Sequence, residues 1–145
     1  SLLDIEAAVN FLKSKGASPK DIALVGASIG ANLSLQYIVE NPEVKRAVLL
    51  SPGFDYRGIK TEPLVTKLQS GQGVWYVAAE DDDRSGGNAA EMAKKLYQLT
   101  PSTVFRGGTT FKKGGHGTDM FKETPALMEK ILTFSTADFS IDPAS

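Results

Sequence analysis

One serine sits where backbone geometry alone would make it reactive. Gly26-Ala27-Ser28-Ile29-Gly30 fits the pattern G-x-S-x-G, which has mechanical meaning only between a buried strand and a helix. A sharp strand-to-helix turn holds the central residue in a strained conformation. Glycines two residues to either side remove side chains that would clash across the turn. The hydroxyl is then lifted onto the carboxyl edge of the sheet, at the amino end of the following helix. There the helix dipole and free N–H groups favour a developing negative charge, and the Ile29 N–H is the donor such a turn supplies. A Gly-rich packing turn and a phosphate cradle are the competing readings. The cradle needs G-x-G-x-x-G spacing or a following Gly-Lys-Ser/Thr, and neither is present.

A serine hydroxyl is a poor nucleophile until a base takes its proton. The chain holds one histidine, His116, in Gly114-Gly115-His116-Gly117-Thr118. It lies off any apolar periodic face, and its flanking glycines suit a loop that approaches another residue closely. A carboxylate should hold the imidazole tautomer and stabilise the imidazolium. Asp81, Asp82 and Asp83 stand just past an apolar run and are the candidates. They also read as a solvated acidic loop or a cation site, although Asp-Asp-Asp-Arg-Ser-Gly-Gly lacks the alternating ligands of a calcium loop.

For these groups to meet, the chain between them must build a layered scaffold. Ile5, Ala8, Val9 and Leu12 recur at i, i+3, i+4 and i+7, one face of an amphipathic helix. Gly16 ends it in the left-handed position, and Ser18-Pro19-Lys20-Asp21 makes the turn. Ile22-Ala23-Leu24-Val25 runs apolar without alternation, as in a strand covered on both faces. Ala31 to Glu40 reads as a helix with Leu33, Tyr37 and Ile38 inward, stopped by Asn41-Pro42. Ala47-Val48-Leu49-Leu50 is a second buried strand, halted by Ser51-Pro52-Gly53. A loop follows, with a short amphipathic piece near Leu64, Val65 and Leu68. Val74 to Ala78 is a third strand, after which Ala89, Met92, Ala93 and Leu96 line a helix. Thr103 to Arg106 is a short fourth strand, and a Gly-rich loop then carries His116. Leu127, Met128, Ile131 and Leu132 line a final helix. This alternation implies an α/β fold, a parallel sheet with helices on both faces. We assign residues 1–136 to one domain and residues 137–145 to a polar tail.

Composition narrows the partners. The 145 residues are 41% hydrophobic and 23% charged, an ordinary globular balance, with a formal net charge of −1. No basic excess exists to displace counterions from a nucleic acid. With no cysteine and one histidine, thiolate and multi-histidine metal sites are excluded, and no metal is expected. No apolar run reaches about 18 residues, so no membrane span is expected. The expectation is a soluble protein, cytoplasmic in preference to exported, with an upstream signal left open. Ser1 stands where a Met would, as though something upstream had been removed. Trp75 and Tyr76 are read as core packing rather than ligand stacking, and Lys112 and Lys113 as a solvated pair.

Serine, then acid, then histidine, each after a separate strand, is the order found in α/β-hydrolases. The chain resembles that superfamily, near its dienelactone-hydrolase-like and carboxylesterase-like branches. The similar stretches are Ile22 to Ala31, Val77 to Asp82, and Gly115-His116-Gly117-Thr118. In the family the acid comes three residues after a small residue that closes its strand; Ala79 holds that place, which selects Asp82. The resemblance implies a serine hydrolase of carboxylic esters or related acyl compounds. Its residues are Ser28, His116 and Asp82, with Ile29 in the oxyanion hole, an acyl-enzyme intermediate and no cofactor. It also implies that the strands preceding this stretch, and the loop with the second oxyanion-hole donor, lie upstream of Ser1. The chain would then be the carboxyl-terminal half of the fold, lacking the N-terminal strands. The strand at Ile22 would present an unpaired edge, to be covered by a second copy or an upstream segment. A non-catalytic binding module, a fragment inactive without its other half, and an acyltransferase are the alternatives.

Overall fold

The computed structural model describes residues 1–137; the remainder of the expected tail, 138–145, lies outside the described residues. In chain order the elements are α1 (Leu2–Ser14), β1 (Ala23–Ala27), α2 (Ile29–Glu40), β2 (Arg46–Leu50), β3 (Asp55–Tyr56), β4 (Ile59–Lys60), α3 (Thr61–Val65), β5 (Gly73–Ala79), α4 (Ala89–Leu99), β6 (Phe105–Phe111), α5 (Met120–Glu123) and α6 (Leu127–Ser135). Four strands form a parallel sheet in the order β1-β2-β5-β6, and β3 and β4 form a small antiparallel ribbon. Among the described residues no helix is long and apolar enough to cross a membrane.

Successive side chains of a strand point to opposite faces, and the inner strands are apolar on both. Ala47, Leu49, Val74, Tyr76 and Ala78 pack with Leu35 and Ile38 of α2 and Ala93 and Leu96 of α4. Val48, Leu50, Trp75, Val77 and Ala79 turn the other way, onto Met120 of α5 and Leu127 and Ile131 of α6. Each Val or Leu so buried contributes roughly 1.5–3 kcal/mol. That two-sided burial explains the continuous apolar runs of β2 and β5 and fixes the sheet whose carboxyl edge carries the candidate groups. Trp75 and Tyr76 are buried, their polar tips satisfied by Thr109 Oγ1 at 3.0 Å and Thr100 Oγ1 at 2.6 Å.

Several elements differ from the sequence expectation. The first strand, β1, lies at the edge of the sheet as the resemblance implied, but it is not covered on both faces; Val25 is 48% exposed. Helix α1 buries Val9 but leaves Ala8 and Leu12 exposed, and α6 buries Leu127 and Ile131 but leaves Met128 and Leu132 exposed. Leu33 of α2 is only partly buried. Strand β6 runs through Gly107 and Gly108, which the sequence reading placed beyond the strand. Those glycines belong there because rings occupy the space a side chain would need. A Cβ on Gly107 would lie 3.3 Å from Trp75 Cδ1, and one on Gly108 would lie 3.4 Å from Tyr97 Cδ2.

Candidate active site

Ser28 joins β1 to α2 with φ 58° and ψ −123°, a strained conformation that persists only where its surroundings over-determine it. Its N–H donates to Leu50 O at 2.9 Å, extending the β1–β2 ladder by one residue, and its carbonyl accepts from Ala31 N–H at 2.9 Å. The two flanking glycines are not equivalent. A Cβ on Gly26 would fall on the Gly30 carbonyl and within 2.6 Å of Ser34 Oγ, whereas one on Gly30 would meet nothing within 4 Å. The clash expected at both positions exists only at Gly26. Ile29 is the first residue of α2, so its N–H is among the helix-end donors with no intrahelical acceptor.

The three aspartates after β5 have three different tasks. Asp82 is buried, with Oδ1 accepting Arg84 N–H at 3.0 Å and Oδ2 lying 2.8 Å from His116 Nδ1. Asp83 accepts from Asn88 Nδ2 at 3.0 Å. Asp81 Oδ1 accepts the N–H groups of Gly114 at 3.1 Å and Gly115 at 3.0 Å, and these bonds, Gly115 foremost, hold its carboxyl below the usual carboxylate range.

His116 leaves the sheet after β6, yet its Nε2 lies 2.8 Å from Ser28 Oγ after β1. Those strands are opposite edges of the sheet, about 14 Å apart at roughly 4.8 Å per spacing. The loop that spans this distance is fastened to each strand end it passes. Phe111 O accepts Glu80 N–H at 2.7 Å beyond β5, and Asp81 holds Gly114 and Gly115. Beyond β2, Ser51 Oγ accepts Gly117 N–H at 2.9 Å. His116 N–H itself donates to Asp119 Oδ2 at 3.3 Å, and Asp119 also pairs with Arg84 at 3.5 Å. Ser28, His116 and Asp82 are thus brought together, and Asp81 and Asp83 are turned to other partners.

Sequence reasoning missed Ser51, which it took as part of a strand stop. Ser51 is fully buried, stands at φ 51°, and donates its N–H to Val77 O at 2.8 Å. Asn32, one helical turn past Ser28, was missed as well. It is buried, donates to Gly53 O and Ile59 O at 3.0 Å each, and accepts from Gly53 N–H at 3.2 Å, fixing the segment after β2. A polar residue on an otherwise inward helix face was the available signal for it. Lys112 and Lys113 are exposed.

The model of the dienelactone hydrolase family matches residues 1–108. The chain belongs to that family. The matched stretch carries Ser28 and Asp82, and His116 lies past its end. The α/β-hydrolase fold recurs in solved structures at low identity. The esterase domain of a Rhodothermus marinus protein is 17% identical with a TM-score of 0.66, covering 93% of this chain and 69% of that one. A Mycobacterium tuberculosis H37Rv protein described as a non-heme bromoperoxidase, BpoC, is 13% identical with a TM-score of 0.68, over 94% and 74%. The Pyrococcus horikoshii acylaminoacyl peptidase is 13% identical with a TM-score of 0.67, over 88% and 26%. Comparison with curated protein sequences gave no match. The family makes hydrolase chemistry the class to which this member belongs.

Proposed function

We propose that the chain hydrolyses carboxylic esters or related acyl compounds through an acyl-enzyme on Ser28. The observation that carries this reading is the unbroken line from Ser28 Oγ to His116 Nε2 and from His116 Nδ1 to Asp82 Oδ2, 2.8 Å at each step. With Nδ1–H donating to the carboxylate, Nε2 keeps its lone pair for the serine proton. Ser28 Oγ then bonds to the acyl carbon as its proton passes to Nε2, and the carbonyl oxygen takes up the negative charge facing the Ile29 N–H. Collapse breaks the bond to the leaving oxygen, which departs with the proton from Nε2. Water repeats the sequence on the acyl-enzyme, releasing the acid and restoring Ser28. Asp82 accepts the Nδ1–H throughout and steadies the imidazolium.

A fluorophosphonate probe tests the reading. We expect covalent labelling of Ser28 in the wild type and none in Ser28→Ala. An unlabelled wild type would reduce the chain to a hydrolase-like binding module.

A further inference from the structure

Each backbone N–H from Gly114 to Gly117 is donated to a side chain: Gly114 and Gly115 to Asp81, His116 to Asp119, and Gly117 to Ser51. A segment with three glycines, two of them at positive φ (Gly115 71°, Gly117 59°), has more conformations to lose than any other composition. Its position therefore depends on what grips it. Asp81 grips it twice, at the point where it crosses the end of β5. Gly114 is pressed there so closely that an added Cβ would lie 3.0 Å from both Ala79 Cβ and Met120 Cγ. Neither neighbouring carboxylate is free to take over, since Asp82 holds the imidazole and the Arg84 N–H, and Asp83 holds Asn88.

We propose that Asp81 is a positioning residue of the reaction set out above: by accepting the Gly114 and Gly115 N–H groups it sets where the loop from β6 crosses β5, and so holds the His116 ring between Ser28 and Asp82. The inference rests on that reading of Ser28, His116 and Asp82. Asp81 touches no reacting atom; it acts through the loop. Its carboxyl, held below the usual range by the same N–H groups, keeps the grip well into acid. A displacement of the imidazole by about 1 Å is enough to slow such chemistry by roughly 100-fold.

Two measurements on the 145-residue chain decide it. The first is the rate of fluorophosphonate labelling at Ser28 in wild type, Asp81→Ala and Asp81→Asn. The second is the low-field Nδ1–H resonance of the single histidine, read by nuclear magnetic resonance on chain labelled with 15N-histidine. Asp81 is exposed, so neither substitution opens the core. We expect Asp81→Ala to slow labelling roughly 10- to 100-fold and to broaden or abolish the resonance. Asp81→Asn keeps an acceptor oxygen and should recover most of both. An Asp81→Ala chain with the wild-type rate and resonance overturns the inference, as does an Asp81→Asn chain that falls as far as the alanine. If the wild type itself is not labelled, it is the reading of Ser28 that fails. The resonance still judges the clamp, for it reports the imidazole–Asp82 bond without turnover: unchanged in Asp81→Ala it overturns the clamp, broadened it upholds it.

Discussion

Ser28 holds a conformation that costs roughly 1–3 kcal/mol in a non-glycine residue, and the turn around it shows which neighbours make that tolerable. Gly26 is required because β1 and α2 meet with no room for a side chain, whereas Gly30 opens onto space. Gly26→Ala should therefore destabilise the chain by roughly 1–3 kcal/mol or more through overpacking against backbone. Gly30→Ala should stay within about 1 kcal/mol of wild type, on the stabilising side, since alanine suits a helix better than glycine. Urea unfolding of the two variants checks the contrast, and equal losses would contradict it. The pattern alone does not distinguish the two glycines, because the difference lies in what the folded turn brings near each. The same reason hides Ser51: nothing local marks a serine whose role is to meet a backbone N–H 66 positions away. Ser28 is readable because it stands in G-x-S-x-G between a strand and a helix, His116 because it is the one histidine, and Asp82 because the family resemblance places the acid three residues after Ala79.

The loop after β6 is the element on which the site turns, and side-chain oxygens accept each of its backbone N–H groups from Gly114 to Gly117. That makes it sensitive to protonation. Asp81 has its pKa lowered in the folded chain by the N–H groups of Gly115 and Gly114, so the unfolded state binds its proton more readily. Its stabilising contribution is complete above the ordinary carboxylate range and is lost as pH falls through the depressed folded value. The stability gap between wild type and Asp81→Asn should accordingly shrink as pH falls from neutral into and below the ordinary carboxylate range, as measured by urea unfolding at each pH. A gap that widens in acid would mean that the carboxylate does not hold the loop. Element types and order follow from periodicity, which is why α1, α2, α4, α6 and the inner strands β2 and β5 were legible, whereas the four-residue α5 and the two-residue strands β3 and β4 are too short to show a period. The extent of β6 was not, since Gly107 and Gly108 look like breakers until Trp75 and Tyr97 are seen filling the places of their missing side chains.

At the scale of the molecule, β1 has one neighbour where β2 and β5 have two, and Leu3, Phe11 and Leu12 of α1 are 74%, 60% and 42% exposed. The amides of β1 should exchange with solvent at least roughly tenfold faster than those of the inner strands, because an open edge frays without breaking the rest. Hydrogen exchange together with sedimentation checks this. Protection that grows with protein concentration, alongside a dimer, identifies a second copy on the edge. Fast exchange in a monomer shows the edge open, and uniform protection in a monomer contradicts an open edge. What lies between the edges is under a tighter constraint. Since the loop of His116 starts beyond one border strand and reaches Ser28 Oγ beyond the other, the sheet works as a ruler. A strand inserted between β1 and β6 would lengthen the crossing by about 4.8 Å and pull the relay apart, while strands appended outside either border would leave it untouched. This sheet could therefore grow sideways but not from the middle without parting His116 from Ser28.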